Sequence, residues 1–234
     1  MDKLVDEIAE YLQNYPPAFE VFSRLIDIGD IYVMGGILRE YRDRGKIKDI
    51  RDADFSILIH DFDAWNRLIS EIPNKINRFG GYKFLCSGLV VDVWNVKDTW
   101  AFKEGLVSVC NDDYFSTLPQ SVFLNIDSIC YDLKRDIWID EKYTQAMKSR
   151  TLDIVLKENP FIELNIIRSM ILKRKYDMVY SDELRNLICE NDISNQNYAN
   201  ILYEAEMDRY GYDLISHDDI LNELHSLVRN APLE

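Results

Sequence analysis

The chain has 234 residues, of which 47% are hydrophobic and 29% are charged, and this composition predicts a soluble protein with one large domain or two small ones. Its 27 basic and 41 acidic residues give a net charge of −14, which argues against general nucleic-acid binding because Lys and Arg supply most affinity for phosphate backbones. Without an 18-residue apolar run, a signal-like N-terminus or metal-type cysteine spacing, we expect a cytoplasmic protein with no membrane-spanning segment and no zinc site.

The first 140 residues mix helical and strand patterns. Apolar residues at helical spacing indicate helices, and short apolar runs bounded by Gly, Pro and charged residues indicate strands. The Gly29-Asp30 pair predicts a turn, and Ser87-Gly88 predicts the turn of a hairpin. The predicted elements, in chain order, are helix 2–14, helix 18–28, strand 31–34, helix 37–43, strand 52–60, helix 63–77, strands 82–86 and 89–96, and strand 136–140.

The remainder of the chain has a helical pattern throughout. The predicted helices are 143–150, 161–175, 181–190, 194–208 and 217–229. We therefore predict an α+β domain over residues 1–140, followed by an all-helical domain over residues 141–234. The segment 176–234 contains 13 acidic and 3 basic residues, a net charge of −10. This acidic helical region is either a solvated surface or a docking surface for a basic protein partner.

Two carboxylates, Asp52 and Asp54, lie one residue apart in a strand that is otherwise apolar. Side chains at i and i+2 of a strand point to the same face, so the two charges repel each other and lose hydration unless a cation neutralises them. Magnesium sites that bind substrate phosphates use such carboxylates. In isolation, the same pair would also suit a solvated strand end.

Two further motifs lie near this pair in the predicted fold. Asp92 is the single charge in the apolar strand 89–96, where it would be a third metal ligand or a residue on the solvated face of an edge hairpin. Gly35 and Gly36 follow the strand 31–34. They either form a plain turn or allow the backbone to approach phosphate groups closely.

The order of these motifs resembles the nucleotidyltransferase fold of the DNA polymerase β superfamily, especially the head and neck domains of class II CCA-adding enzymes and bacterial poly(A) polymerases. The family pattern Gly-Gly-x-x-Arg-Asp, followed by Asp-x-Asp, is similar to Gly35–Glu40 and Asp52–Asp54. The resemblance extends through Ile126–Asp132 to Asn159-Pro160 and Arg168, and so covers roughly residues 20–175.

This resemblance implies a mixed sheet with flanking helices and an Mg²⁺-dependent enzyme that moves an NMP from an NTP onto a hydroxyl group. The acceptor would be a small molecule, a protein or an RNA end. Two Mg²⁺ or Mn²⁺ ions would be the cofactors, with one carboxylate also acting as the base. The implied metal ligands and catalytic residues are Asp52, Asp54 and Asp92, and the implied nucleotide-binding residues are Gly35, Gly36, Arg39 and Arg168.

The chain also departs from the family pattern. Ser-Val-Phe at 121–123 stands where the family has Arg-Arg-Asp, and Ile162 and Asn165 stand where its neck helix has further arginines. The family's selection of CTP and ATP is therefore not implied for this chain. The sequence stops where the CCA-adding enzymes continue, so a complete grip on tRNA is not expected. The alternative is a catalytically degenerate module that binds nucleotide or protein, with the acidic helical region as its interface.

Overall fold

The computed structural model describes residues 4–229, which divide into two compact units. The first unit extends to Ser121 and includes Asp127–Glu141, and the second comprises Val122–Ile126 and the chain from Lys142 onward. Residues 2 and 3 of the first predicted helix, and residues 230–234 of the acidic helical region, lie outside the described residues. None of the described helices combines the length and apolarity needed to cross a membrane.

Within the described residues, the first unit contains a seven-stranded mixed sheet. Its strands are β1 (Gly29–Met34), β2 (Asp52–Ile59), β3 (Asn74–Ile76), β4 (Tyr82–Cys86), β5 (Leu89–Asn95), β6 (Cys130–Asp132) and β7 (Ile137–Ile139). They lie in the order β3-β4-β5-β2-β1-β6-β7. The central pair, β2 and β5, is parallel, and every other neighbouring pair in this sheet is antiparallel.

Helices pack against this sheet, and the second and the fourth of them in chain order lie on the same face. The helices of the first unit are α1 (Leu4–Gln13), α2 (Pro16–Ile28), α3 (Gly36–Arg44), α4 (Phe62–Glu71), α5 (Trp100–Lys103) and α6 (Tyr114–Thr117). Phe22 of α2 packs on Phe55 of β2, with ring centroids 5.5 Å apart, and Trp65 of α4 packs on Tyr82 of β4. Because side chains alternate along a strand, the residues on either side of Phe55 in β2 point to the opposite face.

Two predicted boundaries in this unit are wrong. The helix predicted over 63–77 ends at Glu71, because Pro73 lacks a backbone N–H and disfavours helical geometry at Ile72. The residues that follow form the edge strand β3 instead. Gly29 and Asp30, predicted as a turn, are extended and form the start of β1.

The second unit is mainly helical. Its helices are α7 (Glu141–Ser149), which begins at the boundary between the units, α8 (Ile162–Tyr176), α9 (Asp182–Ser194), α10 (Tyr198–Tyr210) and α11 (His217–Arg229). The sequence pattern does not indicate the short parallel pair of β8 (Thr151–Leu152) with β9 (Val179–Tyr180), because two residues are too few for a detectable period. The predicted α+β class, with a mixed sheet followed by a helical region, is confirmed.

Glu206 is a fully buried carboxyl group on α10. Its Oε1 accepts hydrogen bonds from the backbone N–H groups of Leu214, at 2.8 Å, and Ile215, at 3.1 Å, so it ties the loop before α11 to α10. Its Oε2 is buried without a hydrogen-bond partner among the described residues. Burial raises the pKa of Glu206, although the two backbone bonds favour its charged form.

The substitution Glu206→Gln is therefore expected to remove a pH-dependent loss of stability. Since the pKa of Glu206 is raised in the folded chain, the native state retains its proton longer, and the free energy of unfolding falls as the pH rises between the two pKa values. The variant keeps an accepting oxygen and does not titrate. Its stability relative to the wild type should increase as the pH rises above the ordinary glutamate pKa of 4.5, as measured by urea unfolding. A stability difference that is independent of pH would contradict this expectation.

Candidate functional site

Asp52 and Asp54 lie on the face of the sheet opposite the one that α2 covers. They alternate along β2 with Ala53 and Phe55, which are both fully buried in the core. The strand forms here because its apolar residues at every second position fill one face, and both aspartates therefore share the other face. Asp52 is also paired with Arg51, whose Nη2 lies 2.7 Å from Oδ2 of Asp52.

Asp92 lies beside Asp54 in the parallel pairing of β2 with β5, and the two residues are direct Cα partners. Neighbouring strands are about 4.8 Å apart, so the two side chains leave the same face of the sheet at close range. Asp52 is the Cα partner of Val90, which lies two residues before Asp92 in β5 and therefore points to the same face as Asp92. The structure therefore brings together on one face the three aspartates that the sequence analysis assigns to metal binding.

The carboxylate of Asp92 has two partners that the sequence analysis missed. Lys83 Nζ lies 3.3 Å from its Oδ2, and the side-chain amide of Asn77 donates a hydrogen bond of 2.9 Å to its Oδ1. The Oδ1 of Asn77 accepts the backbone N–H groups of Phe79 and Gly81, which orients its amide nitrogen toward Asp92. The turn formed by residues 77–81 therefore holds the carboxylate of Asp92 in place.

One of these partners could have been found from the sequence. The hairpin of β4 and β5 pairs Cys86 with Leu89, and counting back in this register places Lys83 opposite Asp92. No sequence pattern indicates that Asn77 contacts Asp92, because the apolar spacing before Asn77 predicts a helix.

The electrostatic setting of Asp92 combines opposing effects. Burial raises its pKa, while Lys83 and Asn77 favour the charged carboxylate and so oppose this rise. The negative charge of Asp52 acts in the same direction as burial. Asp92 is therefore a carboxylate close to a second one on a partly buried surface, and a bound cation would stabilise both.

The turn between β1 and α3 lies directly against Asp54. Gly35 has φ of +73°, which L side chains rarely adopt, and a Cβ atom placed on it would lie 2.5 Å from Oδ2 of Asp54. Gly36 is the first residue of α3. The first N–H groups of a helix have no partner within the helix and attract anions, so α3 begins with anion-binding groups beside Asp54.

Arg39 is nearly buried and forms an ion pair with Asp127. Its Nη2 also lies close to Gly36, 3.8 Å from where a Cβ atom on that residue would be. Arg39 is a predicted phosphate-binding residue, whereas no role is predicted for Asp127 from the sequence. The ion pair indicates that Asp127 orients the guanidinium group near the start of α3, and phosphate binding by Arg39 stays a prediction.

Arg168, the remaining predicted nucleotide-binding residue, lies on α8 in the second unit. The predicted site residues on the sheet, the turn and α3 all belong to the first unit. A role for Arg168 in nucleotide binding stays a prediction.

Carboxylates are suitable ligands for the metal ions that the family resemblance implies. Among the described residues, no group of three or more His, Cys, Asp or Glu side chains is arranged to hold a metal ion. Nucleotide-bound Mg²⁺, however, uses one or two carboxylates together with substrate phosphates and water. Asp52 and Asp54 provide that smaller set, while Asp92 is engaged by Lys83 and Asn77.

Comparison with known proteins gives likenesses in structure only. No protein-family model and no curated protein matches the sequence. An apo form of a CCA-adding enzyme superposes with a TM-score of 0.60 at 14% identity, over 93% of this chain and 53% of that one. A CCA-adding enzyme in complex with CTP superposes with a TM-score of 0.57 at 13% identity, over 86% of this chain and 48% of that one.

A third likeness is to the CCA-adding enzyme of Thermotoga maritima in complex with tRNA. Its TM-score is 0.53 at 14% identity, over 85% of this chain and 47% of that one. The present chain thus spans about half the length of the solved structures it resembles. At these identities the likeness establishes the fold, and it agrees with the resemblance seen in the motifs. The chain has a nucleotidyltransferase-type fold related to that of the CCA-adding enzymes.

Proposed function

We propose that this chain is a metal-dependent nucleotidyltransferase that moves an NMP from an NTP onto a hydroxyl group of an acceptor. One observation carries the proposal. The glycine turn at Gly35 and the N-terminus of α3 lie against Asp54, which is a direct neighbour of Asp92 on the same sheet face. An anion-binding backbone next to paired carboxylates suits a triphosphate with its metal ions. Complexes of CCA-adding enzymes with CTP and with ATP support an NTP as the substrate.

In this proposal, Asp52 and Asp54 hold Mg²⁺ or Mn²⁺, and Asp92 completes the ligand set for a second ion. When bound, these ions neutralise phosphate charge and activate the acceptor hydroxyl. The backbone N–H groups at Gly35 and Gly36 bind the triphosphate oxygens.

In the proposed transfer, one bond to phosphorus forms and one breaks. The acceptor oxygen forms a bond to the α-phosphorus, the bond from that phosphorus to the bridging oxygen breaks, and pyrophosphate leaves. Asp92 receives the hydroxyl proton, and its hydrogen bond from Asn77 keeps the carboxylate oriented for this step. The acceptor class is a small molecule, a protein or an RNA end.

The proposal is tested by calorimetric titration of each of the four NTPs with Mg²⁺ into the wild type and into the double variant Asp52→Ala/Asp54→Ala. We expect metal-dependent binding of at least one NTP. The double variant should bind that NTP at least ~100-fold more weakly, since each contact to a charged group contributes about 1.5–3 kcal/mol. The control Asp63→Ala removes an exposed acid from the first turn of α4 and should bind like the wild type.

Two results of this titration would contradict the proposal. One is that the folded wild type binds no NTP. The other is that the double variant, shown to be folded by circular dichroism, binds an NTP as tightly as the Asp63→Ala control.

The second candidate function, a protein-interaction module, is favoured by an apolar surface in the second unit. Ile193, at the end of α9, is 80% exposed, and with Leu221 and Tyr198 it lines a cavity of about 390 Å³. Exposed apolar groups around a cavity are typical of binding surfaces, and the surrounding acidic helical region would suit a basic partner. A folded wild type that binds no NTP would favour this function.

A further inference from the structure

A second pocket in the first unit lies apart from the three aspartates of the candidate site. It has a volume of about 380 Å³, and its walls include Asp30 and Tyr32 of β1, Asp132 of β6 and Asp112 of the loop before α6. Tyr32 is the Cα partner of both Asp132 and Ser56, so it points to the same sheet face as Asp54. This acidic pocket and the candidate site are therefore neighbours along one surface.

The two inner carboxylates of the acidic pocket already have cationic partners. Asp30 lies 2.7 Å from Lys134 Nζ and 2.9 Å from His60 Nε2. Asp132, which is almost fully buried, accepts hydrogen bonds from Nε of Arg135, at 2.6 Å, and from its backbone N–H, at 2.8 Å. Lys134 and Arg135, the basic residues that line the pocket, are thus already paired with carboxylates of the same pocket.

Tyr32 is the unexplained group of the acidic pocket. Its side chain is 95% buried, since its exposed fraction is only 5%, and its ring packs on Phe115 with centroids 5.4 Å apart. Its hydroxyl makes no hydrogen bond within residues 4–229, and it is not one of the enclosed polar atoms there, so it opens into the pocket and is available to a ligand. Burial and the charge of Asp132 raise its pKa to about 12, so the hydroxyl stays neutral and its oxygen can accept a hydrogen bond.

The mouth of the pocket offers another acceptor. The carboxylate of Asp112 is exposed, and it forms neither a hydrogen bond nor an ion pair with the described part of the chain. Beside it, Asp113 caps α6 by accepting the backbone N–H of Ser116. Four aspartates and two basic residues line the pocket, which leaves an excess of two negative charges.

These features select the chemistry of a ligand. The Asp112 carboxylate is an acceptor, the Tyr32 hydroxyl can accept as well as donate, and the wall carries an excess of negative charge. A positively charged ligand with hydrogen-bond donors matches this wall, and an anion such as phosphate is disfavoured. A metal ion without a nucleotide does not suit the pocket, because Asp30 and Asp132 are already bound by Lys134, His60 and Arg135 and the lining provides no group of three free ligands within residues 4–229. An organic ammonium group is positively charged and only donates hydrogen bonds, and a chain of carbon atoms lets two such groups reach separate acceptors.

We propose that the acidic pocket binds a small organic polycation of the diamine or polyamine class, with one ammonium group donating to the Tyr32 hydroxyl and another close to Asp112. The site lies on the order of 7 Å along the sheet from Asp54, because a strand rises about 3.3 Å per residue. It uses none of the residues proposed to bind NTP. The proposal therefore stands or falls independently of nucleotidyl transfer.

The experiment is a calorimetric titration of spermidine and of putrescine into the full chain, without nucleotide or Mg²⁺, at about 0.15 M salt to screen diffuse attraction. We expect one saturable site for at least one amine, and no binding of the uncharged analogue 1,4-butanediol. Tyr32→Phe removes only the hydroxyl, retains the ring packing on Phe115, and should weaken binding about tenfold, or ~1.4 kcal/mol. Asp112→Asn should also weaken it severalfold. The matched control, Asp208→Asn, removes an exposed acid on α10 and should leave the affinity unchanged.

Three outcomes would overturn this proposal. Neither amine binds the folded wild type saturably, or the diol binds as well as the amines do. Alternatively, Tyr32→Phe and Asp112→Asn bind like the Asp208→Asn control, which would mean that polyamines are attracted only by the overall negative charge. Thermal unfolding of each variant verifies that the chain remains folded.

Discussion

Replacing Gly35 with alanine is expected to abolish metal-dependent NTP binding and to lower the free energy of unfolding by about 1–3 kcal/mol. The loss of stability arises because φ of +73° is strained for any residue with a Cβ atom. The loss of binding has a separate cause. The new Cβ atom would lie 2.5 Å from Oδ2 of Asp54, so the carboxylate must rotate away from the position proposed for the metal.

A second glycine separates these two effects. Gly45, at the end of α3, also has a positive φ of +71°, but a Cβ atom there meets nothing within 4 Å. Gly45→Ala should therefore cost about 1–2 kcal/mol of stability and leave NTP affinity unchanged. Urea unfolding and NTP calorimetry on both variants measure the two effects. The assigned role of the turn would be wrong if Gly35→Ala bound NTP as tightly as Gly45→Ala.

The substitution Gly29→Ala is expected to destabilise the first unit by about 3 kcal/mol or more. Gly29 is the first residue of β1 and pairs with Ile59 of β2. Its backbone is extended, so strain is not the cause. A Cβ atom at Gly29 would lie 2.1 Å from the carbonyl oxygen of Leu58, and because that atom is part of the backbone, the two strands must separate locally.

The matched control is the same change at Gly36. This residue begins α3, and a Cβ atom there has Arg39 Nη2, at 3.8 Å, as its nearest neighbour. Gly36→Ala should leave stability unchanged or raise it by up to about 1 kcal/mol, since alanine is the better helix former. Thermal and urea unfolding report both variants. Equal stabilities for Gly29→Ala and Gly36→Ala would refute the close approach of β1 to β2.

The sequence predicted those features of the candidate site that depend on local patterns. Asp52 and Asp54 share a sheet face because side chains alternate along any strand. Gly35 could be recognised because a glycine pair between a strand and a helix indicates a turn with unusual backbone angles. The hairpin around Ser87-Gly88 also follows from local turn chemistry, and it is confirmed in β4 and β5.

The partners of these residues were harder to predict, because they come from distant parts of the chain. Arg39 and Asp127 are 88 positions apart, and no periodicity or turn signal connects them. Asn77 was missed for another reason. The apolar spacing up to Ile76 favours a helix, but Pro73 ends it and Asn77 turns back toward Asp92.

By itself, the sequence determined the α+β class, the approximate position of most elements and the pair Asp52 and Asp54, because periodicity and turn chemistry act over a few residues. Only the tertiary structure decided that Asp92 lies beside Asp54, since this requires the parallel pairing of two strands separated in sequence by a helix and two other strands. It alone decided that the Tyr32 hydroxyl faces an acidic pocket. The physical reason is that burial and charge pairing depend on which strands become neighbours, and many pairings are compatible with the same local patterns.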